Sequence, residues 1–417
     1  MTDRRPIVQM RKLADADAFR AHLDGVGLDL CFDAELVNGT DAPLARPFYV
    51  GLADGVTRTV GNRFAVLPME GWDATSDGRP TDLVRRRWER FGTSGAKLVW
   101  GGEAVAVRAD GRANPNQLCM GADAVDDLSG LRSRLVAAHA ERFGCTDDLL
   151  VGLQLTHSGR WSRPTGSPVP RVGYRHPLLD HRVPITDASV LSDDELDELS
   201  DRFVEASAMA ADAGFDFVDL KACHGYLLHE MLSGVDRPGP YGGDLDGRSR
   251  FHRRTLEAIR SRVPALGLGV RLSLYDMVPF IAGPGGVGVP ASDGEYRHAF
   301  GGDGSGVGID LEEPDRLLAL LAEVIDAAEA DRIGLVNRIV AEADLDAHVA
   351  DVVERIAAGP PLALSMSKAL LNNGAQTSMS QALEAEGQAQ ATNFGTQDTR
   401  EAAQAWIEKR QPEFEGN

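Results

Sequence analysis

The chain has 417 residues, a net charge of −20, and 43% hydrophobic and 25% charged residues, the balance of a soluble globular protein long enough for two domains. The acidic balance argues against general nucleic-acid binding, which needs basic groups to displace phosphate counterions, and no apolar run approaches the roughly 20 residues of a membrane helix. Four scattered cysteines without metal-like spacing, and a start with no apolar segment behind its basic residues, lead to the expectation of a reduced, cytoplasmic protein.

The first sixty residues read as a lead-in, with a polar helical stretch at about 12–24 and loops. Strand-then-helix units follow. The spacing predicts strands at RFAVLPM (63–69), AKLVWGG (96–102), LLVGLQLT (149–156), DFVDLKA (216–222) and LGLGVRLS (267–274). Amphipathic helical patterns lie between them: PTDLVRRRWERFG, AVDDLSGLRSRLVAAHAERFG, DDELDELSDRFVEASAMAADAG and RSRFHRRTLEAIRSRV. Continuous apolar strands alternating with such helices imply a parallel sheet covered by helices.

Polar groups recur where these strands end. Pro68-Met69-Glu70, Gly102-Glu103-Ala104, Gln154 to His157, Lys221 to Tyr226, and Arg271 all occupy C-terminal strand ends. In a β/α barrel those ends converge on one catalytic mouth. The expected fold is therefore α/β, an incomplete TIM barrel, followed by an all-helical segment. A full barrel needs eight strands, and five are legible, or six if RIGLVNRIV (332–340) is one.

Residues 282–308 are glycine-rich, but no Gly-Lys-Ser/Thr follows, so they read as a long mobile loop over the mouth rather than a phosphate loop. From residue 311 the pattern turns helical, with apolar spacing at Leu345, Val349, Val352, Val353 and Ile356. Gly359-Pro360-Pro361 breaks it, and further helices are expected at about 362–372, 378–392 and 397–409.

NRFAVLPM (62–69), QLTHSGR (154–160), HGYLLHE (224–230) and RPGPYGGDLDGRSRF (237–251), in this order and at barrel spacing, resemble the old yellow enzyme family of FMN-dependent NAD(P)H:flavin oxidoreductases and ene-reductases. RIGLVNRIV, the Pro-Pro followed by Lys368, and DTREAAQAWIEKRQPEFEG (398–416) are similar to the C-terminal end of crotonases, the enoyl-CoA hydratase/isomerase family. The crotonase core is absent. The resemblances imply a fusion: residues 1–323 as a truncated FMN-binding barrel and residues 324–417 as a crotonase-like helical tail.

The first resemblance implies FMN and NAD(P)H as cofactors and an activated alkene or enone as the small-molecule substrate. It assigns Lys221, His224 and Tyr226 to catalysis. His224 and Tyr226 match the family's second oxyanion donor and its acid. Lys221 departs from the family, which has His at the first donor position. An ammonium can also donate to an oxyanion, but without an imidazole's fixed direction. Pro68, Met69, Glu70, Ala104, Gln154 and Arg271 are implied flavin contacts: Gln154 at the pyrimidine edge, Arg271 where negative charge appears on reduction. Glu70 is also readable as a solvated carboxylate, and Lys221 as a strand-end lysine reaching solvent. His157 and Arg160 are expected to shape the mouth, and Trp72 and Trp100 to pack.

The family's phosphate site, after the seventh and eighth strands, has no counterpart here. The alternatives are a crotonase-type module for CoA esters or for homo-oligomerisation through the tail, with Lys368, Phe394 or Lys409 lining a pocket, and an inactive fusion product.

Overall fold

The computed structural model describes residues 8–51, 57–284, 287–292, 294–322, 344–374 and 379–416. The chain divides into two compact units, Met1–Val336 and Asn337–Asn417.

In the first unit all five expected strands form: β3 (Ala65–Val66), β4 (Leu98–Val99), β6 (Leu150–Thr156), β7 (Phe217–Ala222) and β8 (Gly267–Leu272). They lie side by side in chain order, every neighbour parallel. Helices α2 (Asp82–Thr93), α3 (Ala124–Phe143), α4 (Asp193–Asp212) and α6 (Leu245–Arg262) make the connections. Their starts are written locally. Ser192 accepts from the Glu195 N–H and donates its own N–H to the Glu195 carboxylate, a capping box that opens α4. Asp244 caps α6 by accepting from the Gly247 N–H at 2.9 Å.

The period of two along each strand separates two faces. Val151, Leu153 and Leu155 of β6 and Val218, Leu220 and Ala222 of β7 enter one large core with the helices' Trp88, Leu131, Phe203 and Phe251. The other face is the concave, barrel-interior one. Leu150 and Phe217 form a smaller cluster there with Val60, Phe48, Val50, Leu98 and Trp100.

Several elements escaped the sequence reading. The lead-in contains an antiparallel hairpin, β1 (Phe48–Gly51) with β2 (Thr57–Val60), whose apolar side chains close one end of the concave face. The second expected strand is interrupted: after β4 the chain resumes as β5 (Ala104–Ala106), which pairs with β6. Gly102 makes the break, with φ +49, and a Cβ there would meet the Trp88 ring at 2.9 Å.

The glycine-rich segment is not merely a mobile loop. Strands β9 (Phe280–Ala282) and β10 (Gly288–Pro290) form a second hairpin, and Val278, Tyr296 and Phe300 around it are buried. Helix α7 (Glu312–Ala322) follows. Among the described residues β3 and β8 end the sheet; RIGLVNRIV and the 323/324 division lie outside them.

The described part of the second unit holds the helices α8 (Leu345–Ala357), α9 (Pro361–Gly374), α10 (Met379–Phe394) and α11 (Gln397–Glu408), followed by a non-helical C-terminal segment. Asp398 fastens its C-terminal end by accepting from the Glu415 and Gly416 N–H groups.

Candidate active site

The site grows from the concave face of β7. Phe217, Asp219 and Lys221 alternate onto it, since Val218, Leu220 and Ala222 fill the helix-side core. Arg271 lies beside Lys221 in register on β8, and Gln154 beside Asp219 on β6.

Lys221 neither reaches solvent nor stands free. Its Nζ donates to Glu70 Oε1 at 2.7 Å, and both side chains are only 7% exposed. The Tyr226 hydroxyl donates to Glu70 Oε2 at 2.8 Å, and Trp72 Nε1 donates to the same oxygen at 3.2 Å. The Lys221 ammonium lies 3.7 Å from the centre of the Tyr226 ring, close enough for a cation–π attraction. Burial first, and then the Glu70 carboxylate, push the Tyr226 phenol well above its ordinary value. The reading of Glu70 as a solvated carboxylate is therefore corrected: it binds the two expected catalytic groups together.

A second charged cluster anchors the backbone after Glu70. The Gly71 N–H donates to Glu103 Oε1 at 2.9 Å, and Arg87 bridges Glu103 to Asp73. Glu103 is fully buried, and burial raises its carboxyl against the opposing pull of Arg87.

Gln154 is buried, and its amide donates to Asp219 Oδ2. Asp219 escaped the sequence reading, although the period of two from Lys221 marks its face. Its Oδ1 is buried and, among the described residues, makes no hydrogen bond of good geometry, although the Trp100 side chain and the Arg271 backbone N–H lie close to the carboxylate. Burial lifts its carboxyl to about 6 from 3.8, against the Gln154 hydrogen bond. The sign follows: the folded state holds this proton more tightly, so stability falls as pH rises from about 4 to about 6. The penalty above pH 6 is about 3 kcal/mol at most, at 1.36 kcal/mol per pKa unit. Asp219→Asn is accordingly expected to be about 2–3 kcal/mol more stable than the parent at pH 7.5, with the advantage shrinking below pH 5. Urea denaturation across that range measures it; an advantage independent of pH would contradict the assignment.

His224 sits in the turn from β7 to α5 (Leu227–Met231) with φ +61, followed by Gly225 at +67. Two successive left-handed residues let the chain reverse, and a non-glycine residue there is strained. The His224 ring is exposed, and burial of its base and the Lys221 charge keep it below the usual imidazole range.

The remaining candidates divide. Met69 is 65% exposed at the rim, an open apolar surface beside Glu70. Pro68 is buried. Ala104 is 1% exposed; its N–H donates to the Met69 carbonyl and its carbonyl accepts from Gln117 Nε2, so no free backbone donor reaches the rim there. His157 and Arg160 are fully buried, as Gln154 is, and Arg160 ties Glu230 to Asp180 as an internal strut. Trp100 packs on Phe217, ring centres 5.2 Å apart.

Comparison with known proteins gives two matches along the chain. Residues 46–280 match the model of the NADH:flavin oxidoreductase / NADH oxidase family, and residues 315–417 that of the enoyl-CoA hydratase/isomerase family. An NADPH dehydrogenase of Bacillus velezensis is 28% identical over 207 residues, covering 48% of this chain and 56% of that protein. The 12-oxophytodienoate reductase 1 of Oryza sativa subsp. japonica is 34% identical over 133 residues, covering 30% of this chain and 35% of that one. The chain thus spans little more than half the length of the NADPH dehydrogenase. A solved 2-naphthoyl-CoA reductase shares the fold, with a TM-score of 0.52 at 18% identity over 68% of this chain and 39% of its own.

Proposed function

Because the chain belongs, through residues 46–280, to the NADH:flavin oxidoreductase / NADH oxidase family, we propose that it is an FMN-dependent ene-reductase acting on an activated alkene or enone at the concave mouth. The carrying observation is convergence: Gln154, Lys221 and Arg271 come from three adjacent strands, and Glu70 and Tyr226 join them from two strand ends.

The ring end of FMN fits what is present. The Asp219 carboxylate beside Gln154 suits a heterocycle's N–H, and the exposed Met69 suits an aromatic ring. Gln154 and Arg271 would hold its polar edge. Bound FMN supplies two-electron hydride chemistry, with NAD(P)H as the source of reducing equivalents.

The chain's own residues supply the rest. An ammonium has three donors; Glu70 uses one of those of Lys221, and the others remain for the substrate's carbonyl oxygen, where charge develops. His224 is the second donor at that oxygen. Tyr226 holds the proton for the α-carbon at its hydroxyl, and the substrate has to draw that hydroxyl from Glu70. Glu70 also neutralises Lys221, which leaves Arg271 as the member of the Lys221–Arg271 pair that Glu70 does not hold.

The test is a titration of the purified full-length chain with FMN, read by flavin absorbance and fluorescence, followed by anaerobic NAD(P)H and cyclohexenone. Weak but saturable binding is expected, since each charge-assisted phosphate hydrogen bond lost is worth about 1.5–3 kcal/mol. A chain that leaves the flavin spectrum unchanged at excess FMN would overturn the proposal.

A second reading concerns the tail. Val349, Val353 and Ile356 are exposed along one face of α8. This face supports self-association through a second copy of the helical unit. Val353→Glu is expected to lower the mass seen by sedimentation; an unchanged mass would remove this reading.

A further inference from the structure

A cavity of about 380 Å³ lies on the far side of the β7–α5 turn, within the usual size range of small-molecule sites. Its walls include Trp161, Tyr174, His229, Asp276, Tyr296 and His298. Of the residues proposed for redox chemistry only His224 borders it; Glu70, Gln154, Lys221, Tyr226 and Arg271 do not.

The hydrogen bonds decide which atoms face the space. His229 Nδ1 accepts from the Gly225 N–H at 2.8 Å. A neutral imidazole that accepts at Nδ1 carries its proton on Nε2. That Nε2 is buried and has no hydrogen-bond partner among the described residues, on a residue 5% exposed; the Asp276 carboxylate is 3.7 Å away. It is a built donor with nothing to donate to, which is costly unless something fills the position.

His176 is handled in the same way. Its Nδ1 accepts from the Leu178 and Leu179 N–H groups at 3.1 and 2.9 Å, so Nε2 carries the proton and donates to the Tyr296 oxygen at 2.8 Å. The Tyr296 hydroxyl proton is then free for a ligand. Both imidazoles are held neutral by burial, His176 down to about 3. Tyr174 and His298 stack face to face, centres 5.6 Å apart and 13° between planes, beside these donors. Asp276 stands half-exposed at the rim and disfavours anions, against the Arg182 guanidinium on the same wall, which donates to the Phe280 carbonyl.

We propose that this cavity is a binding site for a neutral, planar aromatic carbonyl compound, whose oxygen accepts from His229 Nε2–H and Tyr296 O–H and whose ring lies along the Tyr174–His298 wall. The cavity adjoins the redox mouth at His224 and otherwise uses residues of its own.

The probe is 2-acetylnaphthalene, which has no activated alkene, titrated calorimetrically into the full-length chain. One saturable site is expected, unaffected by excess FMN. Tyr296→Phe and His229→Phe should each weaken it at least fivefold, and 2-naphthoate should bind at least tenfold more weakly than the ketone. Circular dichroism checks both variants. His229→Phe also removes the acceptor for the Gly225 N–H, so Tyr296→Phe, which deletes a single hydroxyl, carries the test if the first variant unfolds. Absence of saturable binding, equal affinity in the folded variants, tighter binding of the anion, or displacement by FMN would each overturn the proposal.

Discussion

Lys221→Met is expected to cost about 3–5 kcal/mol of folding free energy, the largest stability effect of any single change at the mouth. Methionine keeps the volume and loses the ammonium. Glu70, 7% exposed, would then be a buried carboxylate without its counter-charge. Tyr226 and Trp72 still donate to it at 2.8 and 3.2 Å, which places the cost toward the lower end. Glu70→Gln in the same chain removes the stranded charge while keeping an acceptor for Tyr226. The double variant should therefore recover more than half of the loss. Urea denaturation of the parent, both single variants and the double variant closes the cycle. A coupling energy under about 0.5 kcal/mol would mean that the pair is an incidental contact.

Tyr226→Phe is expected to slow alkene reduction by about 10²–10⁴-fold, the usual contribution of a placed general acid. The step in which NAD(P)H reduces the flavin should stay within about threefold of the parent, because no proton from Tyr226 is used there. Stopped-flow measurement of the two half-reactions separates them. Equal losses in both would show that the ring positions the cofactor instead. The pH profile adds a check. Burial and Glu70 raise the Tyr226 phenol, so it stays protonated through pH 9, and the alkene step should show no alkaline limb from this group.

Glu70 illustrates where sequence reasoning stops. Its position beside Met69 placed it at the mouth, and both a flavin-facing and a solvated role were reasonable there. Its partners lie 151 and 156 residues further along the chain. No local pattern encodes a carboxylate that binds an ammonium and a phenol across the sheet; only the arrangement of β3 beside β4, β6 and β7 brings them together. Asp219 is a different case. Its face was readable by counting two from Lys221, but its hydrogen bond to Gln154 emerges only when the next strand lies beside it.

Hydrophobic periodicity by itself determined the parallel α/β sheet, its five strands, the connecting helices and the helical tail. Those features follow from side-chain direction along one strand or helix, which is a local property of the chain. Tertiary structure alone decided the rest: the hairpin against the concave face, the Gly102 break, the neutralisation of Lys221 by Glu70, and the donors turned into the histidine-lined cavity. Each depends on contacts between residues distant in the chain, where burial removes water and leaves every charge and N–H to find whatever partner the packing supplies.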